Sequence, residues 1–338
     1  MSVHVLHLAH EEQGGPDYSG PLASEQRDGP GYKVTPPETR AESVLTSGFR
    51  VEPGVAYGFF TDATVCIGCK ACEAACKQWN QLPMDDLGLK GTSYDNTGEL
   101  SATTWRHVAF VEEFPQEPGN GGRGSRVRGP APPPRPPVSG RLPGRWLFMS
   151  DVCKHCEQAG CLEACPTGAI VRTEFQSVFI QQDVCNGCKY CVPSCPFGVI
   201  TTADGLDNKA HKCTLCYDRL KAGLEPACAK ACPTDSILFG PVEELRRIAR
   251  RRVEELHARG MREAYLYGVP GSPGATGGIR GLNCFFLLTE RPEAYNLPSA
   301  PELPSRRVIP ASLTGAAAAL VYGLVAILAI RATRREKR

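Results

Sequence analysis

Cysteine is the residue type whose spacing in this chain most clearly predicts chemistry. Of the 17 cysteines, only Cys284 lies outside four short groups, here called quartets one to four in chain order. The quartets are Cys66, Cys69, Cys72 and Cys76; Cys153, Cys156, Cys161 and Cys165; Cys185, Cys188, Cys191 and Cys195; and Cys213, Cys216, Cys228 and Cys232. Thiolates bind iron and zinc, so the quartets predict metal centres. Cys284 lies in an apolar, strand-like run and is expected to be an inert core thiol.

The spacing within the quartets favours iron–sulfur clusters. Quartet three reads C-x2-C-x2-C-x3-C-P, the run of bacterial ferredoxins, in which the fourth cysteine binds the other cluster of a pair. Quartet one has the same spacing but continues with Lys77, and quartets two and four widen one interval. A cubane cluster has four irons that each need a thiolate, and a short loop reaches three of its corners. The sixteen quartet thiols therefore predict four [4Fe–4S] clusters.

Two other uses of cysteine fit less well. Zinc sites usually combine two separated cysteine pairs, whereas these quartets pack three thiols into one loop. Disulfide scaffolds belong to small secreted chains, and this chain has 338 residues with few cysteines outside the quartets. We retain a zinc-binding interaction module as the alternative from another functional class.

A shared frame follows the last cysteine of three quartets. Each segment reads Cys-Pro-x-x-x-Ile, beginning at Cys165, Cys195 and Cys232. Residues 169–183, between quartets two and three, predict a short β-hairpin, as in a two-cluster ferredoxin. Quartets two and three therefore form one pair, and quartets one and four form the other. The predicted fold class is α+β: two ferredoxin-like double-cluster modules with loop insertions, followed by a single C-terminal transmembrane helix.

The surroundings of the quartets carry a family resemblance. The segment 66–80, Cys-Ile-Gly-Cys-Lys-Ala-Cys-Glu-Ala-Ala-Cys-Lys-Gln-Trp-Asn, resembles the opening of the iron–sulfur (beta) subunit of formate dehydrogenases. Other segments that resemble the same family are 93–98, 105–110, 211–220 and 225–233. The quartets alone are also similar to those of the four-cluster subunits of sulfoxide, polysulfide and nitrate reductases. The iron–sulfur subunit of a sulfoxide, polysulfide or similar molybdenum reductase is therefore the alternative within electron transfer.

The resemblance also implies which cysteines share a cluster. The implied sets are Cys66, Cys69, Cys72 and Cys232 for cluster one; Cys153, Cys156, Cys161 and Cys195 for cluster two; Cys185, Cys188, Cys191 and Cys165 for cluster three; and Cys213, Cys216, Cys228 and Cys76 for cluster four. In the nitrate reductase branch one cysteine of the third quartet is replaced and one cluster has three irons. Cys188 is present here, so all four clusters are expected to be [4Fe–4S].

The function that the resemblance implies is electron transfer without catalysis. A molybdopterin-containing catalytic subunit, with molybdenum or tungsten, would oxidise formate. This chain would relay the electrons, in the order of clusters one, four, two and three, to a membrane cytochrome b subunit or quinone. A nucleotide site is not expected, because the G-x-G-x-x-G match at 119–124 has no strand before it and no helix after it. The net charge of +2 does not suggest nucleic acid as a partner.

Composition divides the chain into segments. Residues 1–55 are polar, lack a signal peptide pattern and are expected to form a flexible arm, and residues 115–144 are a Pro/Gly-rich insert. The expected divisions of the rest are 56–114 with 200–297 for the outer module of clusters one and four, 145–199 for the inner module of clusters two and three, 298–310 for a linker, 311–330 for a transmembrane helix and 331–338 for a basic cytoplasmic tail. Residues 242–261 predict an amphipathic helix whose Arg and Glu side chains face solvent.

The segment 311–330 is long and apolar enough to cross a bilayer. It contains no charged residue over twenty positions, although a core helix of this composition is the alternative. More Lys and Arg follow it than precede it, so the positive-inside rule places the C-terminus in the cytoplasm. We therefore expect a single-pass protein of the inner membrane with its cluster domain on the outer, periplasmic face. The rival arrangement has the cluster domain on the cytoplasmic face.

Overall fold

A four-stranded sheet is the largest element of the computed structural model, which describes residues 51–84, 95, 97–113, 145–202 and 207–336. The strands are β1 (Tyr57–Asp62), β2 (Arg106–Glu113), β3 (Arg145–Val152), β4 (Ile170–Arg172), β5 (Val178–Ile180), β6 (Thr201–Thr202), β7 (Ala210–His211), β8 (Ile237–Pro241), β9 (Tyr265–Tyr267) and β10 (Cys284–Leu288). The helices are α1 (Ala71–Asn80), α2 (Gly160–Glu163), α3 (Tyr217–Lys221), α4 (Ala227–Lys230), α5 (Val242–Ala258) and α6 (Ser305–Glu336), with a 3-10 turn at Pro292–Tyr295. The predicted arm 1–55 is described only from residue 51 onwards, and the predicted insert 115–144 lies outside the described residues.

The large sheet has the strand order β8-β1-β10-β9 and forms the core beside the cysteine loops. Every residue of β1 and β10 is buried, which explains why β10 is a continuous apolar run rather than an alternating pattern. Cys284 is fully buried opposite Phe59, and burial raises the pKa of its thiol well above the usual value. It is a core residue of the sheet, as predicted.

A glycine permits the close approach of β1 to the chain that enters β10. A Cβ atom at Gly58 would lie 1.7 Å from the carbonyl oxygen of Asn283, so a larger residue cannot fit without moving the backbone. The amide of Phe59 donates to that same carbonyl at 3.0 Å. This close approach holds β1, the strand that leads to quartet one, between β8 and β10 in the sheet.

Three two-stranded ribbons complete the described β structure. β2 and β3 are antiparallel, with Arg106 opposite Val152, so the start of β2 lies beside the residue that precedes Cys153. The hairpin predicted between quartets two and three is confirmed, because β4 and β5 pair with Ile170 opposite Ile180. β6 and β7 form the third ribbon.

Helix α5 covers one side of the large sheet. Its buried residues include Leu245, Ala249 and Leu256, which confirms the predicted amphipathic pattern. The helix ends at Ala258 rather than at residue 261, since Gly260 follows with a φ of 90° that α-helix does not allow. The expectation that its charged face is solvated is wrong for Arg246, which is buried and pairs with Glu157 and Glu243.

The C-terminal helix α6 is exposed at every position whose side chain the structure describes. It starts at Ser305, includes Pro310 and extends at both ends beyond the predicted span of 311–330. Its segment Ser305–Ala329 has a mean hydropathy of 2.0, and among the described residues it is the one candidate membrane span by length and composition. The apolar residues determine which segment can lie in a membrane, whereas the helix itself continues into the polar residues on either side.

Candidate metal centres

All sixteen quartet cysteines lie in the described residues, in loops and on short helices. Cys72 and Cys76 are one turn apart on α1, which packs against α4 of quartet four. Cys153 and Cys156 follow β3, and Cys161 lies on α2. The secondary structure around the cysteines is short, so the loops depend on their own turns for shape.

One backbone feature recurs in all four loops. The residue before the second cysteine has a positive φ in every quartet: Gly68 at 67°, His155 at 42°, Gly187 at 74° and Leu215 at 60°. Left-handed residues within a turn direct successive N–H groups into a concave nest that binds anions, as at many iron–sulfur sites. Glycine adopts this conformation without strain, whereas His and Leu must be held in it. The loops therefore have the backbone shape that a negatively charged cluster requires.

A second left-handed position follows the three Cys-Pro segments. Gly168, Gly198 and Asp235, each three residues after its cysteine, have φ values of 69°, 63° and 52°. The repeat found in the sequence is thus also a repeat of backbone conformation. Each segment turns in the same way after its last cysteine and leads back into the fold.

The first group of thiols combines quartets one and four. Cys66, Cys69, Cys72 and Cys232 line one pocket that is partly open to solvent. The hydroxyl of Ser150 lies 3.2 Å from the sulfur of Cys72. Burial raises the pKa of Cys72 to about 12, against the opposing effect of the Arg106 guanidinium. The structure thus brings the last thiol of quartet four to the first three thiols of quartet one.

The reciprocal group is the more deeply buried of the two. Burial raises the pKa of Cys76 well above its usual value, and the nearby thiols of Cys213, Cys228 and Cys216 raise it further. All four of these cysteines are buried. The last thiol of quartet one therefore lies with the first three thiols of quartet four.

Quartets two and three show the same exchange. Burial raises the pKa of Cys156 well above the usual value. The nearby thiols of Cys195, Cys153 and Cys161 raise it further. For Cys191, burial raises the pKa to about 11, and the thiols beside it that raise it further are those of Cys185, Cys165 and Cys188. Thiols gathered in this way are unfavourable as unbound thiolates, and iron would supply the compensating positive charge.

Exposure differs between the groups. Cys69 and Cys188 are exposed, and they belong to different groups. Within the described residues, no three or more His, Cys, Asp or Glu side chains converge as a site for a single metal ion. A cubane, with an iron at each of four corners, requires a wider spacing of its thiolates than one tetrahedral ion does.

Buried basic residues accompany the cysteines. Lys154, His155 and Lys212 are each at most 3% exposed, and they flank the cysteines of quartets two and four. The ammonium of Lys212 donates to the carbonyl oxygen of Cys213 at 2.9 Å and to that of Val178. Burial lowers the pKa of His155 well below its usual value, so the ring is neutral at pH 7. Because Nδ1 accepts from the Val178 amide at 3.1 Å, the ring proton lies on Nε2.

Arg106 is a basic residue that the sequence alone did not single out. It is 1% exposed, its Nη1 donates to the hydroxyl of Ser150 at 3.1 Å, and its guanidinium lies 4.6 Å from the ring centre of Phe59. Burial lowers its pKa, but the thiolates of Cys228, Cys72, Cys213 and Cys76 together raise the pKa by more than burial lowers it. Its position depends on the pairing of β2 with β3, which no sequence pattern indicates. This pairing places Arg106 beside the start of quartet two.

Comparison with known proteins agrees with the site. Two 4Fe-4S dicluster domain families match the chain, one over residues 65–169 and the other over residues 144–242. The protein therefore carries 4Fe-4S dicluster domains of the ferredoxin-like class. Its curated relatives include the nitrate-inducible formate dehydrogenase iron-sulfur subunit of Escherichia coli K12, with 37% identity over 246 residues that cover 72% of each chain.

Two further relatives define the family more closely. The formate dehydrogenase iron-sulfur subunit of Haemophilus influenzae is 37% identical over 72% of this chain and 68% of its own. The B subunit of the anaerobic dimethyl sulfoxide reductase of E. coli K12 is 32% identical over 56% of this chain and 76% of its own. The chain belongs to the family of formate dehydrogenase iron–sulfur subunits, and the predicted resemblance is confirmed.

Proposed function

We propose that this chain is the electron-transfer subunit of a membrane-bound formate dehydrogenase. It would receive electrons from a molybdopterin-containing catalytic subunit and deliver them to a membrane cytochrome b subunit or quinone site. The observation that carries the proposal is the crosswise grouping of sixteen thiols in a chain that is 37% identical to formate dehydrogenase iron–sulfur subunits. When bound, a [4Fe–4S] cluster accepts and releases single electrons.

The ligand sets of the four clusters are part of this proposal. Each cluster takes three thiols from one quartet and the fourth from its paired quartet. The sets are Cys66, Cys69, Cys72 and Cys232 for cluster one; Cys153, Cys156, Cys161 and Cys195 for cluster two; Cys185, Cys188, Cys191 and Cys165 for cluster three; and Cys213, Cys216, Cys228 and Cys76 for cluster four. The pocket of group one and the mutual effects of the thiols in the other groups support these sets.

Electrostatic effects between the groups support the order of clusters one, four, two and three. The thiol of Cys228 in set four raises the pKa of Cys72 in set one. The thiol of Cys153 in set two raises the pKa of Cys213 in set four. The thiol of Cys191 in set three raises the pKa of Cys161 in set two. The exposed cysteines, Cys69 and Cys188, belong to sets one and three, the two ends of this order.

The chain's own residues would hold the clusters, exclude water and supply fixed dipoles. The left-handed turns aim backbone N–H groups into each loop, and the buried thiols of set four keep the middle of the path dry. Burial, hydrogen bonds to sulfur and local charge set the reduction potential of a cluster. These residues form no catalytic constellation in this reading, and formate would react on the partner subunit.

The dimethyl sulfoxide reductase B subunit of E. coli supports a second candidate, the subunit of a sulfur-compound reductase. That relative covers 56% of this chain, whereas the formate dehydrogenase subunits cover 72% at higher identity. Formate dehydrogenase is therefore the better-supported partner. The zinc-binding alternative is less well supported, because both matching domain families are 4Fe-4S dicluster domains.

We also propose that α6 anchors the protein in the inner membrane with its C-terminus in the cytoplasm. The exposed apolar length of Ser305–Ala329 supports the anchor, and the basic residues after Ile330 support the orientation. The cluster domain would then face the periplasm. Protease treatment of intact spheroplasts tests this: loss of the cluster domain without lysis is expected, and full protection would favour the cytoplasmic face.

The experiment that tests the function uses the complex that copurifies with the tagged full-length chain. Formate, added anaerobically, is expected to generate the electron paramagnetic resonance signals of reduced [4Fe–4S] clusters. Dimethyl sulfoxide, added to the dithionite-reduced complex, is expected to leave those signals unchanged. Reoxidation by dimethyl sulfoxide with no response to formate would instead identify a reductase subunit.

A further inference from the structure

Arg106 is a buried cation with unused hydrogen-bond donors. Its side chain is 1% exposed, and one of its nitrogens, Nη1, donates to the Ser150 hydroxyl. Its Nε and Nη2 atoms are buried and have no partner among the described residues. A guanidinium carries five N–H donors, so several remain unsatisfied. Leaving such donors unpaired in the interior is costly unless another group accepts them.

The carboxylates near this position are engaged elsewhere. The buried Glu73 of α1 accepts from the Val108 amide and lies 3.4 Å from the Lys70 ammonium. By contrast, two other buried cations near the cysteines have acceptors: Lys154 pairs with the carboxylate of Asp151, and Lys212 donates to the carbonyl oxygens of Cys213 and Val178. Arg106 differs from both because two of its buried nitrogens have no partner among the described residues, although thiols lie around it.

The thiols that Arg106 faces belong to two different sets. Cys72 is in set one, and Cys76, Cys213 and Cys228 are in set four. The contact with set one also runs through Ser150, whose hydroxyl lies between Arg106 Nη1 and the Cys72 sulfur at 3.1 and 3.2 Å. The planar guanidinium has donors on several edges and can donate to two acceptors on different sides, which a lysine ammonium does less well. The guanidinium thus lies near thiols of both set one and set four.

We propose that Arg106 is a charge-compensating residue shared by clusters one and four, which raises the reduction potential of both and donates its unpaired N–H groups to their sulfur atoms. This inference rests on the proposed function and specifies how the first step of the path is tuned. A cluster becomes more negative when it is reduced, so a fixed cation beside it favours the reduced form. One residue would thereby couple the potentials of two successive carriers.

The test is a redox titration followed by electron paramagnetic resonance on the complete complex. In Arg106→Met, two of the four midpoint potentials are expected to fall, each by about 59 mV. This shift corresponds to a tenfold change in the equilibrium constant of a one-electron reduction. In Arg106→Lys, which keeps the charge, the same two potentials are expected to stay much closer to the wild type. The matched control is Lys154→Met, because Lys154 lies near Cys156 and Cys195 of set two. It should move a different potential from those that Arg106→Met moves.

Several results would overturn the inference. They are unchanged potentials in Arg106→Met, equal shifts in all four clusters, and shifts in Arg106→Lys as large as those in Arg106→Met. If Arg106→Met fails to assemble, Arg106→Gln replaces it with the same expectation. Should both neutral variants lack the irons of two clusters while Arg106→Lys retains them, the need for the cation is supported. A matching loss in Arg106→Lys would reduce Arg106 to a structural residue and reject the proposal.

The wild-type titration separates this inference from the proposed function. Four one-electron couples in the wild type are required by the function. Fewer couples would contradict the function itself, whereas four couples that do not respond to Arg106→Met would contradict only the role of Arg106.

Discussion

The outer pair of cysteine quartets and the inner pair hold their thiols in the same crosswise way but are built differently. Quartets two and three are neighbours in sequence and are joined by the β4–β5 hairpin. Quartets one and four are separated by more than a hundred residues and meet through the packing of α1 on α4 and the pairing of β1 with β8. The inner pair is thus a local structure, whereas the outer pair depends on the whole fold.

The two pairs also differ in how they handle buried charge. Beside the inner pair, the Lys154 ammonium is paired with Asp151, and the buried Lys212 ammonium donates to two backbone carbonyl oxygens. In the outer pair, Arg106 lies among thiols, and two of its nitrogens have no hydrogen-bond partner among the described residues. A single ligand motif can therefore be placed in two electrostatic settings, and carriers with the same chemistry can differ in potential.

The largest expected effect tests the exchange of thiols in the outer pair. Cys76→Ser is expected to lose about four of about sixteen irons, because a buried hydroxyl replaces one thiolate of a four-cysteine set. The lost irons should be those of cluster four, so that Cys76→Ser and Cys216→Ser remove the same resonance signals. The control is Cys284→Ser, a fully buried thiol outside the quartets, which should keep all the iron. If Cys76→Ser instead removes the signals that Cys66→Ser removes, the crosswise grouping is contradicted.

A second prediction compares the packing on which each pair depends. Gly58→Ala would place a Cβ 1.7 Å from the Asn283 carbonyl oxygen, and Gly160→Ala would place one 2.5 Å from the Ser194 carbonyl oxygen. Both should destabilise the protein by about 1–3 kcal/mol or more, with the larger loss at Gly58. Thermal unfolding of the complex at a fixed scan rate measures this. Gly315→Ala, with open space around it, is the control; a smaller loss at Gly58 than at Gly160 would refute the ranking.

The connection between helix α5 and the inner pair gives a third prediction. Arg246 of α5 is buried and pairs with Glu157, the residue after Cys156. Arg246→Met is expected to lower the free energy of unfolding by about 1–3 kcal/mol, since it leaves part of a buried ion pair uncompensated. The matched control is Arg247→Met on the same helix, whose exposed pair with Glu244 should contribute less than about 1 kcal/mol. Equal shifts of the unfolding temperature in both variants would contradict the assignment.

The smallest expected effect concerns a surface link within the outer pair. Trp79 of α1 donates from Nε1 to Asp218 at 2.8 Å, and the Arg219 guanidinium lies 4.2 Å from its ring centre. Because the ring is 41% exposed, Trp79→Phe should cost less than about 1 kcal/mol. Its iron content should equal that of the wild type, and measurable loss of iron would show that this link helps to hold a cluster.

The sequence predicted the local parts of this fold better than the distant ones. The hairpin at 170–180 and helix α5 follow from alternation, turn residues and apolar periodicity, which are properties of short segments. The parallel pairing of β1 with β10 and the position of Arg106 could not be predicted, because both depend on register between distant strands. The burial of Arg246 could not be predicted for the same reason, because its partner Glu157 lies on a loop 89 positions away.

The candidate site was predictable to the extent that its residues form motifs. Cysteine spacing identified the quartets, and the Cys-Pro repeat reappears as left-handed turns at Gly168, Gly198 and Asp235. No sequence motif indicates the buried hydrogen bonds of Arg106 and Lys212, because basic residues are common both in strands and before cysteines. Only the folded chain shows that these cations lie among thiols.

Metal analysis of the anaerobically purified complex shows whether the sixteen quartet cysteines hold four cubane clusters. Iron and acid-labile sulfide should each be present at about sixteen per copy of this chain, with zinc near zero. About four zinc ions per chain without sulfide would contradict the account.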